Sequence, residues 1–123
     1  MDALKIERTY RTPGIILDHD NGIIELIGVA IIDNHDEFYE EFINQIDVYC
    51  NNPKEQTKLK IDLDYIDTRS SKYLIKILKK LDFSLQKKQL SINWYCDKDD
   101  DNIEKINIIK ETIKININVI EKD

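Results

Sequence analysis

The chain has 123 residues, 41% of them hydrophobic and 34% charged, and its 24 acids outnumber its 18 bases for a formal net charge of −6. That length accommodates one domain with a real core, spanning residues 1–123, and not two comfortable ones. The acidic balance argues against a phosphate-backbone binder, so no nucleic-acid partner is expected, and the interspersed charges between regularly spaced apolar residues argue against disorder. The tight basic pairs Lys79-Lys80 and Lys87-Lys88 sit on or just past one predicted helix and read as a solvated face. Residues 1–20 lack an apolar h-region and no later run approaches 18 apolar residues, so membrane insertion is not expected and a cytoplasmic location is. Cys50 and Cys96 lie far apart without a partner motif, which favours a buried thiol at each position over a disulfide or metal ligand.

In chain order, Leu4 to Thr9 and Ile15 to Asp18 read as extended segments joined by Thr12-Pro13-Gly14. The second turns at His19-Asp20-Asn21-Gly22 into Ile23 to Gly28, and Asn-Gly between apolar runs is a strong hairpin signal. From His35, residues Phe38, Phe42, Ile46 and Tyr49 fall on one helical face, with Asn34 or Asp36 available as the N-cap and Asn51-Asn52-Pro53 as the stop. Leu59, Ile61, Leu63 and Tyr65 alternate with Lys58, Lys60, Asp62 and Asp64, the period of a strand with one buried face. Leu74, Ile77, Leu78, Leu81 and Leu85 then form the apolar stripe of a second helix. Leu90, Ile92 and Trp94 alternate in a further strand. The acids Asp97 to Asp101 lead into Ile103, Ile106, Ile109 and Ile113 of a third helix, whose N-terminus they suit. Ile115, Ile117 and Val119 read as a last strand.

The resulting order is β-β-β-α-β-α-β-α-β. Strands covered on both faces are near-continuously apolar, whereas these keep a polar row from Leu59 onward, so all helices are expected on one side of a mixed sheet. This differs from the doubly wound nucleotide-binding architecture and its switch-point crevice.

Little in the chain can carry catalysis. With only Gly14, Gly22 and Gly28 there is neither a Walker loop nor a dinucleotide fingerprint, and no cofactor is expected. His19 and His35 fall in predicted turns and read as surface histidines. Asp97, Asp99 and Asp101 match the first ligands of a calcium loop, but Asn102 stands where the turn glycine belongs and Ile108 where the bidentate Glu belongs, so no metal is expected. What remains is Asp67-Thr68-Arg69-Ser70-Ser71-Lys72, a hydroxyl-rich turn between strand and helix. Asp67 or Thr68 can simply cap the helix, with the serines filling its first turn. Alternatively, the unpaired N–H groups of a helix start welcome an anion, and three hydroxyls in four positions exceed what a cap requires. A small hydrolase or transferase using Ser70 or Ser71 with Asp67 is a third reading, without an identifiable base.

Several segments together resemble one family: Thr12-Pro13 before a strand, Gly28 ahead of Asn34 and Phe38-Tyr39, the run from Leu63 through Thr68 to Lys72, and Asn93-Trp94-Tyr95 followed by acids. The likeness is to the SiaC family of bacterial regulatory phosphoproteins and spans nearly the whole chain. It implies a STAS-like α/β fold similar to anti-sigma factor antagonists, and a non-enzymatic role in c-di-GMP signalling by partner switching. It also implies a cognate protein kinase that phosphorylates a threonine, here Thr68, a PP2C-like phosphatase that removes the phosphate, and a diguanylate cyclase bound and activated by the unphosphorylated form. Asn34, Asp67, Arg69, Ser70, Ser71 and Lys72 would then surround the phosphoacceptor or contact partners. Two positions depart from the family pattern, Asp67 for the usual Asn and Arg69 for a Ser, and Ala30-Ile31-Ile32-Asp33-Asn34 replaces the segment before the first helix. A phosphate adds about −1.5 to −2 charges, which Arg69 and Lys72 would favour and Asp62, Asp64 and Asp67 oppose.

Overall fold

The computed structural model describes residues 3–86, 88–97 and 102–122. Nine elements succeed one another: β1 (Leu4–Ile6), β2 (Gly14–Asp18), β3 (Ile23–Ala30), α1 (His35–Asn51), β4 (Gln56–Ile66), α2 (Thr68–Ser84), β5 (Gln89–Asp97), α3 (Asn102–Ile113) and β6 (Asn118–Lys122). They are the nine the sequence predicts. The six strands form one sheet in the order β1-β2-β3-β4-β5-β6. Neighbours β1, β2 and β3 run antiparallel, and β3 to β6 run parallel.

Each parallel connection steps one strand in the same direction, and such crossovers are right-handed, so all three helices lie on one face. Contacts of α2 with both α1 and α3 agree with that placement. The core between layers comprises Ile15 and Leu17 of β2, Ile24 and Leu26 of β3, Leu59, Ile61 and Leu63 of β4, and Ile92 and Trp94 of β5, met by Phe42, Ile46, Leu74, Leu78 and Ile106 from the helices. On the other face the middle strands carry polar side chains, where Lys122 donates to the Asp62 carboxylate at 2.6 Å and Lys60 lies over the Tyr95 ring, while Ile16 and Ile27 lie half-buried on β2 and β3.

The β2–β3 turn needs its glycine. Gly22 has φ +66°, and a Cβ there would stand 2.4 Å from the Gln56 carbonyl oxygen.

Several expectations change. The first strand ends at Ile6 because Thr9 and Thr12 close their own turn, their hydroxyl oxygens 2.6 Å apart. On α1 the buried stripe is His35, Tyr39, Phe42, Ile46 and Tyr49, spaced four, three, four and three, while Phe38 is only half-buried. Both histidines are buried rather than surface: His35 opens that stripe, and His19 packs edge-on against Tyr49. Cys96 is buried and Cys50 half-buried, and neither forms a disulfide. At the C-terminus Lys114 adopts φ 54°, which ends α3 and lets Ile117 enter the core before β6 begins. Ile115 and Ile117 therefore precede the strand that was expected to hold them. Asp97 closes β5 rather than opening a helix, the helix-start acids Asp99 and Asp101 lie outside the described residues, and Asn102 and Ile108 of the failed calcium loop belong to α3.

The expectation for Tyr65 also fails. The β3–β4 register shifts between Gly28 and Val29, so that Leu63 pairs with Gly28 and Tyr65 with Val29, leaving Asp64 as the extra residue of a bulge. A bulge re-aims the side chains immediately beyond it. Tyr65 turns out to 47% exposure, and Ile66 is buried in its place.

Candidate functional site

The hydroxyl-rich turn sits where β4 gives way to α2, at the carboxyl end of the parallel strands. Asp67 is the N-cap, and its carboxylate accepts from the Ser70 backbone N–H at 2.7 Å, one of the donors that a helix start leaves unpaired. The same carboxylate accepts from the Ile32 N–H at 2.9 Å, and both of its oxygens lie 3.0 Å from His35 Nε2. Its backbone N–H donates to the Ala30 carbonyl at 2.8 Å. One aspartate thus ties α2 to β3, to the segment after it, and to α1. Burial by itself would push the Asp67 carboxyl up, but the N–H groups of Ile32 and Ser70, the Ser70 hydroxyl and His35 outweigh it and hold the carboxyl below the usual carboxylate range.

Behind the cap lies a buried polar chain. The Tyr39 hydroxyl donates to Ser70 Oγ at 2.8 Å, and Ser70 is wholly buried. Burial raises the Tyr39 hydroxyl to about 12, so it remains a donor. Tyr73 stacks between the Tyr39 and His35 rings, with centroids 4.8 and 6.2 Å away. Ser71 Oγ donates to the Asp67 carbonyl at 3.3 Å. Both serines are therefore consumed by the fold. A nucleophilic Ser70, wholly buried, would have no access to substrate.

Thr68 differs from its neighbours. It is the first residue of α2, exposed, and its hydroxyl makes no hydrogen bond to a described residue. Arg69 and Lys72 are also exposed, without an ion pair to a described residue. Asn34, the remaining expected site residue, caps α1: its side chain accepts from the Glu37 N–H at 3.3 Å and donates to the Glu37 carboxylate at 3.0 Å. The Arg11–Asp33 ion pair, at 3.0 Å, lies beside it.

On the other flank, α3 reaches the end of β4. Asn102 donates to the Asp64 carbonyl at 3.0 Å, and Lys105 donates to the Ile66 carbonyl while its ammonium stands 4.6 Å from the centre of the Tyr65 ring. Sequence reasoning missed His35, Tyr39, Tyr73 and Lys105. The four-three spacing from His35 to Tyr49 is the signal that places the first two inward; nothing local announces Lys105, whose role depends on the bulge at Asp64.

A family model described as SiaC family regulatory phosphoprotein matches residues 6–122. The chain belongs to the SiaC family. As a member it is a regulatory protein rather than an enzyme, which sets aside the hydrolase and transferase reading. The fold agrees with solved SiaC structures. One is apo-SiaC from Pseudomonas aeruginosa, at TM-score 0.87 and 24% identity, covering 98% of this chain and 99% of that one. A second is SiaC of the same organism at TM-score 0.85 and 23% identity, covering 99% and 98%. A third is the complex of the P. aeruginosa diguanylate cyclase SiaD with its activator SiaC, where the match has TM-score 0.86 and 21% identity and covers 97% and 99%. No curated relative matches the chain by sequence. Among the described residues of this SiaC-family chain, no helix is long and apolar enough to cross a membrane.

Proposed function

We propose that this chain is a single-domain phosphoswitch whose phosphoacceptor is Thr68 and whose unphosphorylated form binds and activates a diguanylate cyclase. The observation that carries the reading is the division of labour in the turn: Asp67, Ser70 and Ser71 are committed to holding the helix start, and Thr68 presents a hydroxyl uncommitted to any described residue. A protein kinase transfers the terminal phosphoryl group of a nucleoside triphosphate to Thr68 Oγ1, and the hydroxyl proton leaves to a base of the kinase. A PP2C-like phosphatase returns the hydroxyl by hydrolysis. The nucleotide requirement places the cycle in the cytoplasm. The membership in a phosphoprotein family and the activator role of the P. aeruginosa relative support the choice of partner class.

The switch works by local charge. A partner seated over the start of α2 must desolvate the new dianion, and an unpaired buried charge costs several kcal/mol, on the order of a thousandfold in affinity. Intact mass of the protein from its native cells, with peptide mapping, tests the site. A phosphate mapped to Thr68 in part of the population is the expected result, and a protein unmodified under every growth condition leaves the turn as a cap alone. With a purified cyclase partner, Thr68→Ala should bind and stimulate as wild type does and Thr68→Glu should bind at least tenfold more weakly; equal affinity of the two variants would count against the switch.

A further inference from the structure

The flank of α2 on which Thr68 sits is set by helix geometry. At about 100° per residue, Tyr73 and Lys80 share one side, and both face α1: Tyr73 stacks on Tyr39 and Lys80 pairs with Asp47 at 3.0 Å. Thr68 and Ile75, seven residues apart, share the opposite flank, and α3 is the other helix that α2 contacts. Arg69 is about 100° further round, towards solvent and α1. The cation presented from α3 at this height is Lys105, whose ammonium is on the Ile66 carbonyl, two residues before Thr68.

We propose that Lys105 is the phosphate-binding residue of the Thr68 switch: on phosphorylation its ammonium leaves the neutral Ile66 carbonyl and the Tyr65 ring for the dianion. The exchange is favourable because a charge-assisted bond to phosphate is roughly twice as strong as one to a neutral acceptor. Lys72, four residues after Thr68, is the second cation within reach, and Arg69 takes no direct part. The phosphate then does more than add charge, since it also draws away the side chain that covers Tyr65 and ties the start of α3 to β4. This inference rests on Thr68 as the phosphoacceptor, and it names the residue through which the rest of the surface registers the phosphate.

The test uses full-length protein carrying phosphothreonine at position 68, introduced during translation, so that it does not depend on any kinase. Phosphorus NMR tracks the second ionisation of the phosphate, ordinarily near pKa 6. A cation alongside should lower it, and Lys105→Met should raise it by roughly one unit relative to unmutated phosphoprotein, with Lys105→Arg restoring the lower value and Arg69→Met leaving it unchanged. In the protein with Lys105 intact, the Nζ resonance of that lysine should shift with the same midpoint as the phosphate. A Lys105 resonance indifferent to the phosphate, or an unchanged phosphate titration in Lys105→Met, overturns the proposal. Absence of phosphate from Thr68 in native cells would instead remove the phosphoswitch reading while the NMR result stood, so the two failures are distinct.

Discussion

At the scale of single residues, Asp67 decides the character of the site. The family pattern leads one to expect asparagine there, and both residues cap helices equally well. What aspartate adds is a charge, held by His35 and by the backbone N–H groups of Ile32 and Ser70. Because the carboxyl is depressed from its ordinary value of 3.8 in the folded state, it contributes stability that is present above that value and is lost as pH falls through the lower native one. Asp67→Asn should therefore destabilise the protein by about 1–3 kcal/mol at pH 6, where the N–H groups of Ile32 and Ser70 and the His35 ring lose a charged acceptor. The same substitution should also narrow the gap between urea midpoints at pH 6 and pH 3, since the other carboxylates contribute equally to both proteins. An unchanged gap would show that the Asp67 carboxylate carries no charge-dependent stability.

At the scale of elements, the hydroxyl pair Tyr39–Ser70 is the buried polar link between α1 and α2, and its two partners are not equivalent. Ser70→Ala leaves the Tyr39 hydroxyl buried with no acceptor and should cost about 1–3 kcal/mol. Tyr39→Phe removes a donor but leaves Ser70 bonded to Asp67, so its cost should be nearer 1 kcal/mol, and the double variant should lose less than the sum of the singles. Equilibrium denaturation of the four proteins checks this, and strict additivity would mean that the contact does not couple the helices. Elements were legible from the sequence wherever period and side chemistry agreed, as in α2, whose stripe from Leu74 to Leu81 is the one observed. The failure at Tyr65 has its cause in tertiary pairing. Leu63-Asp64-Tyr65 alternates as any strand does, so the register shift opposite Gly28 that turns Tyr65 outward is invisible until β3 is laid against β4. Gly28 itself carries the trace of it: φ is +123°, and a Cβ would approach the Arg8 guanidinium to 3.2 Å. For the candidate site, the turn and its anion-friendly helix start were readable from spacing, but the assignment of Asp67 as the cap and the withdrawal of Ser70 into the core needed α1 and its tyrosine.

At the scale of the whole molecule, the start of α2 is fixed from three directions. β3 and the segment after it hold Asp67 through Ala30 and Ile32, α1 holds it through His35, and α3 holds the preceding carbonyls through Asn102 and Lys105. In the proposed switch, the Lys105 contact is the one that would compete with a phosphate on Thr68. The sheet and the core beneath it would have no part in that exchange, so the proposed switch would alter one surface and leave the fold alone. A chain of 123 residues folded as one domain has a radius of gyration of about 14 Å. Small-angle scattering of the phosphothreonine-68 protein should return the same radius as the unmodified protein, and the emission of the buried Trp94 should not move. Amide exchange should quicken only at the end of β4 and in the first turn of α3, where Lys105 lets go. A resolvable expansion, or faster exchange throughout α1 and the central strands, would mean that phosphorylation loosens the domain as a whole and would replace local charge with unfolding as the means by which the partner is released.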